Sequence, residues 1–205
     1  MKLLFCSLSD RPDFSQSIFQ SNQKYYDKYN FDFIYEDNVL TSERHPAWSK
    51  IILLQRELNK DYDYVIWIDD DILIMNYNID FRDIINKYNP ENIMVDNNNN
   101  HGKWGINTGI IVCKNNDKTK DMLKEVWDNA RPEHYFGGVW ENDTMNEYRE
   151  QYKIIPHKII QSFYFNYTPN DFSVHFAGIN PIERRIKMRD EYLTKKNDLS
   201  QKKYV

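Results

Sequence analysis

The sequence predicts an α/β protein whose central sheet is mostly parallel and flanked by helices. Segments with strand character alternate with helical segments from residue 2 onward, as expected when helices cross over between parallel strands. The chain has 205 residues, of which 40% are hydrophobic, and this is enough for one buried core. We therefore expect one domain over residues 1–190, followed by a charged C-terminal tail over residues 191–205.

Three strands are predicted in the first third of the chain. Residues 2–7 (KLLFCS) read as a buried strand, a helix follows through about Tyr29, and residues 31–36 (FDFIYE) alternate like a second strand. Pro46 opens a helix in which apolar residues recur every three or four positions. This helix leads to YVIWI at 64–68, a strand of β-branched and aromatic residues.

The remaining elements continue the alternation. Glycines at positions 105 and 109 flank or interrupt an apolar strand, and Gly137 and Gly138 mark a loop before a helix. The predicted elements are a helix near 80–87, strands within 92–96 and 105–116, helices over 117–130 and from WENDTMNEYREQY, short strands at KII and 173–178, and a charged C-terminal helix.

Composition excludes several classes of protein. The net charge is −4, and the 27 Lys and Arg residues are scattered, so there is no basic face for a nucleic-acid backbone. Cys6 and Cys113 lie inside apolar runs, which favours buried free thiols over a disulfide or metal site. The opening apolar stretch is too short for a signal peptide or a membrane span, so we expect a cytoplasmic protein with no membrane-spanning segment.

The strongest chemical signal is the run of Asp69, Asp70 and Asp71 directly after the strand at 64–68. Unpaired buried carboxylates are costly and raise each other's pKa, so a counter-charge is needed. Open α/β sheets bind ligands beyond the carboxyl ends of their strands. Asp69 and Asp71 could share one Mg²⁺ or Mn²⁺, which also bind substrate phosphates. The alternative is an ordinary polar boundary between a strand and a loop.

Two metal-dependent chemistries use such a motif. In a phosphotransferase or phosphatase, Asp69 would be the nucleophile, although such motifs usually follow the first strand and this one lies some seventy residues into the chain. In a sugar-nucleotide transferase, the metal would stabilise a departing diphosphate. The two aspartates alone do not separate these alternatives.

Five segments considered together resemble a known family. They occur in the order HPAWSKIILLQREL, YVIWIDDDILI, GINTGIIVCKN, FGGVWENDTMNEY and VHFAG. This order and spacing are similar to the GT-A glycosyltransferases of family 34, which include galactosyl-, xylosyl- and mannosyltransferases, and to compact glycosyltransferases of large DNA viruses. The resemblance covers about residues 1–187 and implies a Rossmann-like nucleotide-diphospho-sugar transferase fold. A viral protein of this kind would act in the host cytoplasm.

The resemblance assigns roles to individual residues. His175, in the HFAG-like motif, is implied as the third metal ligand beside Asp69 and Asp71. Lys50 is implied to contact the nucleotide or its phosphates, although a solvated helix lysine would look the same. Other donor contacts are implied at the end of the first strand, in the metal motif, beside the sugar and after His175: Ser7, Leu8, Ser9, Asp10, Arg11, Asp70, Asn107, Thr108, Gly109, Gly178, Asn180, Arg184 and Arg185.

The segment WENDTMNEY stands where the family has an acidic residue and a glutamine near the reacting sugar. Glu141, Asn142 and Asp143 are therefore the candidate catalytic residues, and the departure from the family pattern leaves the stereochemistry and the acceptor open. Asp143 could instead be a first-turn carboxylate favoured by the helix dipole. Aromatic residues near glycines could stack on a sugar or nucleoside ring: Trp104, Tyr135, Phe136 and Trp140.

Taken together, the motifs predict a glycosyltransferase that uses Mn²⁺ or Mg²⁺ and a nucleoside-diphosphate sugar, most simply a UDP-sugar. It would transfer the sugar to a hydroxyl of a glycan, with retention of configuration implied by the resemblance. The alternatives are the phosphotransferase and a nucleotide-sugar-binding subunit without turnover.

Overall fold

The computed structural model describes residues 1–97, 105–180 and 182–201. Within these ranges the strands are β1 (Leu3–Leu8), β2 (Asp32–Glu36), β3 (Tyr64–Ile68), β4 (Ile72–Ile74), β5 (Ile93–Asn97), β6 (Ile106–Lys114), β7 (Lys153–Ile155), β8 (Ser162–Phe163) and β9 (Ser173–His175). The α-helices are α1 (Pro12–Tyr29), α2 (Ser49–Glu57), α3 (Phe81–Tyr88), α4 (Asp117–Asp128), α5 (Glu133–Phe136), α6 (Glu141–Glu147) and α7 (Ile182–Gln201). A 3₁₀ turn over Pro46–Trp48 leads into α2.

Six strands form the central sheet in the order β2-β1-β3-β6-β5-β7. β1 runs parallel to β2 and β3, and β5 runs parallel to β7, whereas β6 is antiparallel to both of its neighbours. The prediction of a mostly parallel sheet is confirmed, with β6 as the reversed strand. The link from β5 to β6 covers residues 98–105, and so short a connection suits an antiparallel pair because a parallel crossover needs a dozen residues or more.

Both faces of the sheet are buried beneath helices. All six residues of β1 are buried, which explains its unbroken apolar run. On one face, Leu4 and Cys6 pack with residues of α2 and α4; on the other, Leu3 and Phe5 pack with aromatic residues of α1 and α3. Cys6 and Cys113 are buried free thiols, as predicted, and burial raises the pKa of each.

A second sheet of three strands, β4-β9-β8, adjoins the end of β3. β4 is antiparallel to β9, which pairs Ile72 with His175. The other edge of β4 is satisfied by a side chain of α1: Asn22 Nδ2 donates to Ile72 O at 2.9 Å, and Ile74 N donates to Asn22 Oδ1 at 2.8 Å. The sequence indicated a second apolar run after the aspartates but did not indicate its partner. This sheet brings residue 175 beside the aspartates.

α7 runs continuously across residue 190, where the sequence suggested that a charged tail begins, and residues 202–205 lie outside the described part. Its buried side docks on α1 and β4. Arg189 donates to the carbonyls of Asp13 and Phe14, and Lys196 Nζ donates to Ile74 O at 2.5 Å. In the ranges that the structure describes, no helix is both long and apolar enough to cross a membrane.

Candidate active site

A cavity of about 760 Å³ opens at the carboxyl ends of β1 and β3. This is where open α/β sheets bind their ligands. Most of the residues predicted from the sequence line it: Leu8, Ser9, Asp10, Arg11, Lys50, Asp69, Asp70, Asp71, Asn107, Thr108, Gly109, Glu141, Asn142, His175, Gly178, Asn180 and Arg185.

Each of the three aspartates has its own counter-charge. Asp69 follows β3 directly, and its backbone N–H donates to Gly109 O at 2.8 Å. Its Oδ1 accepts a 2.6 Å hydrogen bond from Trp67 Nε1 and lies 3.0 Å from Lys50 Nζ. Its side chain remains 25% exposed, so a carboxylate oxygen is accessible from the cavity.

Asp70 faces the loop after β1. Arg11 donates two hydrogen bonds to its carboxylate, from Nε to Oδ2 at 3.2 Å and from a terminal guanidinium nitrogen to Oδ1 at 2.5 Å. Ser9 Oγ also donates to Oδ2, at 2.5 Å. Burial and the neighbouring Asp71 raise the pKa of Asp70 to about 6, against the opposing effect of Arg11 and Ser9. The carboxylate of Asp70 therefore fixes the β1 loop to the acidic motif at the end of β3.

Asp71 faces β9 and α7. His175 Nε2 lies 3.1 Å from Asp71 Oδ1, and a guanidinium nitrogen of Arg185 lies 3.6 Å from Oδ2. Burial acts to raise the pKa of Asp71, but His175 and Arg185 hold it well below its usual range. Burial acts to lower the pKa of His175, and Asp71 reverses that effect, so the net shift is upward. The backbone reinforces the pairing, because Phe176 N donates to Asp71 O at 3.0 Å.

Asp69, Asp71 and His175 converge on one point. One ligand atom from each lies within 4.8 Å of the other two. Two carboxylates and an imidazole suit Mn²⁺, and Mg²⁺ to a lesser extent because it prefers oxygen ligands. The donor set present therefore fits the divalent cation that the sequence indicated.

Lys50 links this cluster to the start of α6. The Lys50 side chain is 5% exposed, and its Nζ lies 2.7 Å from Glu141 Oε1 and 3.0 Å from Asp69 Oδ1 and donates to Thr108 O at 3.2 Å. Burial acts to lower the pKa of Lys50, but the carboxylates of Asp69 and Glu141 raise it overall. Lys50 is therefore a buried counter-ion of two carboxylates and not the solvated helix lysine that the sequence left open as an alternative.

Thr108 and Asn142 complete the polar wall around Glu141. Thr108 Oγ1 lies 3.1 Å from Glu141 Oε1, and Asn142 Oδ1 accepts from Thr108 N at 3.0 Å. Glu141 Oε2 is buried and has no hydrogen-bond partner within the described ranges. Burial raises the pKa of Glu141, although Lys50 opposes the shift. One oxygen of this carboxylate is thus paired with Lys50, and the other is buried without a hydrogen-bond partner among the described residues.

Three residues proposed from the sequence do not line the cavity. Ser7 is fully buried within β1, and Arg184 is exposed on α7. Asp143 lies in the first turn of α6, as in the alternative role of a first-turn carboxylate that the sequence left open. Its carboxylate accepts a 2.9 Å hydrogen bond from Val139 N in the turn before the helix.

The aromatic residues proposed from the sequence also differ in whether they line the cavity. Trp140 lines the cavity and stacks on His45 with ring centroids 3.8 Å apart, and its φ of 51° is a strained value for a residue other than glycine. Phe136 is 65% exposed and does not line the cavity. Tyr135 packs against the hydrophobic core and meets the Trp48 ring edge-on with centroids 6.5 Å apart, and Trp104 lies outside the described residues.

Phe163 and Phe165 line the cavity, and the sequence analysis missed both. They belong to the segment QSFYFNY, in a chain in which 15% of the residues are aromatic. Nothing in that local pattern separates a cavity wall from a core strand. Their position depends on β8 pairing with β9 in the second sheet.

Gly109 provides a test of how tightly His175 is held. A Cβ at this position would lie 2.6 Å from His175 Cε1 and 2.7 Å from Gln161 Oε1, so a side chain must move. We expect Gly109→Ala to weaken Mn²⁺ binding about tenfold because a displaced ring orients its nitrogen poorly. Isothermal titration with MnCl₂ measures the change.

Gly178→Ala is the matched control for loss of a glycine, since a Cβ there meets no atom within 4 Å. Its φ of 71° means that this substitution will reduce stability. Unchanged Mn²⁺ affinity in Gly109→Ala would show that the ring is not constrained here.

The fold and the placement of the site define a class of protein. A mostly parallel sheet with one reversed strand, and acidic residues at the end of β3, make up the GT-A glycosyltransferase fold. A glycosyltransferase involved in glycosylation of the major capsid of PBCV-1 superposes with a TM-score of 0.75 at 20% identity, over 92% of this chain and 99% of that one. A Drosophila β1,4-galactosyltransferase 7, solved with manganese, UDP-Gal and xylobiose, gives 0.53 at 15% identity, over 90% and 79%.

Sequence comparison identifies the family that the chain resembles. The model of the galactosyl transferase GMA12/MNN10 family, glycosyltransferase family 34, matches residues 6–104. An α-1,2-galactosyltransferase of Schizosaccharomyces pombe is 23% identical over 82% of this chain, and the chain spans 56% of that protein's length. These matches confirm the predicted resemblance to family 34.

Proposed function

We propose that this protein is a metal-dependent glycosyltransferase that moves a sugar from a UDP-sugar to a hydroxyl group of a glycan. The observation that carries the proposal is the convergence of Asp69, Asp71 and His175 within 4.8 Å on the wall of a 760 Å³ cavity. The cavity has the size of a small-molecule site, and the chain resembles a glycosyltransferase family over residues 6–104.

In the proposed site, Asp69, Asp71 and His175 would hold Mn²⁺ or Mg²⁺. When bound, the cation would offset the charge of the diphosphate and make it a better leaving group. Arg185 adds a fixed cation beside Asp71, and Asn180 lines the same part of the cavity. A positive group that is already in place stabilises the negative charge that develops on the departing diphosphate without reorganisation.

The nucleoside would lie against the loop after β1. Ser9 and Arg11 are held there by Asp70, so the loop is rigid before any ligand arrives. The sugar would extend toward β6 and α6, where Asn107, Thr108 and Gly109 border the cavity. A rigid set of polar groups lowers the ordering cost of binding and orients the reacting carbon.

Glu141 would face the transferred sugar. Its Oε1 is fixed by Lys50, and the negative charge of the carboxylate, on the cavity wall, would stabilise the positive charge that develops at the anomeric carbon. Asn142 supports this position through Thr108. We propose retention of configuration, supported by the similarity to an α-1,2-galactosyltransferase; the fold does not decide this point because a β1,4-galactosyltransferase shares it.

The phosphotransferase alternative is less well supported. The nucleophilic aspartate of such enzymes usually follows the first strand of the chain, whereas Asp69 follows β3. The similar structures are also glycosyltransferases.

The proposal is tested by screening UDP-sugars with MnCl₂, first by thermal shift and then by release of UDP. We expect at least one UDP-sugar to raise the melting temperature, because a ligand at 100 times its Kd adds about 2.7 kcal/mol of stability, and we expect EDTA to abolish the shift. Hydrolysis or transfer of the same sugar should follow. Stabilisation without turnover would favour the binding subunit, and no stabilisation by any UDP-sugar would contradict the proposal.

A further inference from the structure

An exposed aromatic ring stands at the rim of the cavity on the side of the second sheet. Phe165 is 54% exposed and lines the cavity. A large apolar side chain at the mouth of a polar site is more informative than one on an open surface, because it offers a flat face beside groups that bind ligands. Phe136 is an example of an aromatic residue on an open surface, because it is 65% exposed but does not line the cavity.

Phe165 does not stand alone. Its ring lies nearly parallel to that of Phe163, at 8° with centroids 5.4 Å apart, and Phe163 lies at 18° and 5.8 Å from the ring of His175. Three nearly parallel rings therefore connect a candidate metal ligand, His175, to Phe165 on the cavity wall. One face of Phe165 is covered by Phe163, so the exposed area belongs to the rest of the ring.

The stack is held in place by its surroundings. His157 packs on Phe163 at 29° and 5.4 Å, and Tyr164 meets Phe165 edge-on at 86° and 5.2 Å. The backbone is fixed as well, because Tyr164 N donates to His175 O at 3.1 Å. A ring held in this way loses little conformational freedom when a ligand packs on it.

We propose that the open face of Phe165 is a platform for a pyranose ring of the acceptor glycan. This inference rests on the proposed function. Pyranose rings present a face of C–H groups that packs on an aromatic ring, and a platform joined to His175 through Phe163 would place an acceptor on the His175 side of the candidate metal site. The nucleoside is proposed to lie at Ser9 and Arg11, which contact the acidic motif through Asp70.

The position of Phe165 also argues against a platform for the nucleobase. Phe165 connects to the candidate metal site through Phe163 and His175, whereas the loop after β1 connects to it through Asp70. A donor whose diphosphate lies at the cluster and whose nucleoside lies at the β1 loop leaves the side of β8 to the second substrate. The β8 side of the candidate metal site therefore suits the acceptor, and the side of the β1 loop suits the nucleoside of the donor.

The test compares Phe165→Ala and Phe165→Trp with the control Phe136→Ala. Three quantities are measured: release of UDP from the UDP-sugar that the wild-type protein hydrolyses, the affinity for UDP with MnCl₂, and the KM for methyl glycosides of mannose, galactose and xylose as acceptors. We expect Phe165→Ala to raise the acceptor KM about fivefold, since one aromatic contact is worth roughly 1 kcal/mol. Hydrolysis and UDP affinity should stay within about twofold, and Phe165→Trp and Phe136→Ala should resemble the wild type.

The other outcomes are also decisive. An unchanged acceptor KM in Phe165→Ala overturns the platform, and so does a loss of UDP affinity, which would assign the ring to the nucleobase. If the wild type hydrolyses a UDP-sugar but none of the glycosides accepts the sugar or shows saturation-transfer contacts that disappear in Phe165→Ala, the platform is rejected while the donor chemistry stands. If no UDP-sugar binds at all, the proposed function itself fails.

Discussion

Replacing Lys50 with methionine is expected to destabilise the protein by about 3–5 kcal/mol, because removing one partner of a buried ion pair leaves uncompensated charge. Glu141 is 3% exposed and lies 2.7 Å from Lys50 Nζ, and Asp69 lies 3.0 Å away on the other side. Methionine has nearly the same length, so the change removes the charge and leaves most of the volume. Urea denaturation measures the free energy of unfolding.

A second variant separates charge from packing. Lys50→Met combined with Glu141→Gln should recover about 1–3 kcal/mol of the lost stability, since the buried carboxylate is removed together with its partner. Lys118→Met is the matched control. The Lys118 side chain is 59% exposed, and its Nζ lies as far as 3.9 Å from Glu91 Oε2. If Lys50→Met unfolds at the same urea concentration as the wild type, the ion pair does not support this part of the fold.

Asp71→Asn is expected to weaken Mn²⁺ binding by more than about 100-fold, because loss of a ligand exceeds the 10–100-fold cost of disturbing its outer-shell neighbours. Asparagine keeps the shape of the side chain and removes the charge that pairs with His175 at 3.1 Å and Arg185 at 3.6 Å. Calorimetric titration with MnCl₂ gives the affinity directly, without the need for an acceptor.

Asp83→Asn makes the same chemical change at an exposed position of α3 and should leave Mn²⁺ affinity unaltered. Circular dichroism of Asp71→Asn should match the wild type, which would separate lost binding from lost folding. An Asp71→Asn protein with Mn²⁺ affinity within about threefold of wild type would show that the cation, if bound, is held elsewhere.

The order of elements could be predicted from the sequence because it depends on local patterns. YVIWI forms β3 at Tyr64–Ile68, and the helix predicted from Pro46 is the 3₁₀ turn followed by α2. The mostly parallel sheet followed from the alternation of strands and helices. The reversal of β6 did not follow from it, because the direction of a strand depends on its connection and its partners rather than on its residues.

Part of the candidate site could also be predicted from local sequence patterns. Asp69 and Asp71 are marked by the strand before them, and the resemblance pointed to His175 more than a hundred residues later. The environment of each residue was not predictable. Whether Lys50 meets solvent, a phosphate or two carboxylates depends on where the packing of α2 on β1 and β3 places this side chain relative to β6 and α6.

The sequence by itself determined the class of fold, the acidic motif at the end of β3 and the family that the chain resembles. The tertiary structure decided which counter-charge each aspartate of YVIWIDDDILIM receives: Lys50 for Asp69, Arg11 for Asp70, and His175 with Arg185 for Asp71. It also decided that Phe163 and Phe165 line the cavity. The physical reason is that propensity and periodicity act over a few residues, whereas ion pairs and ring stacks join segments far apart in the chain, so their partners are fixed only when the sheets assemble.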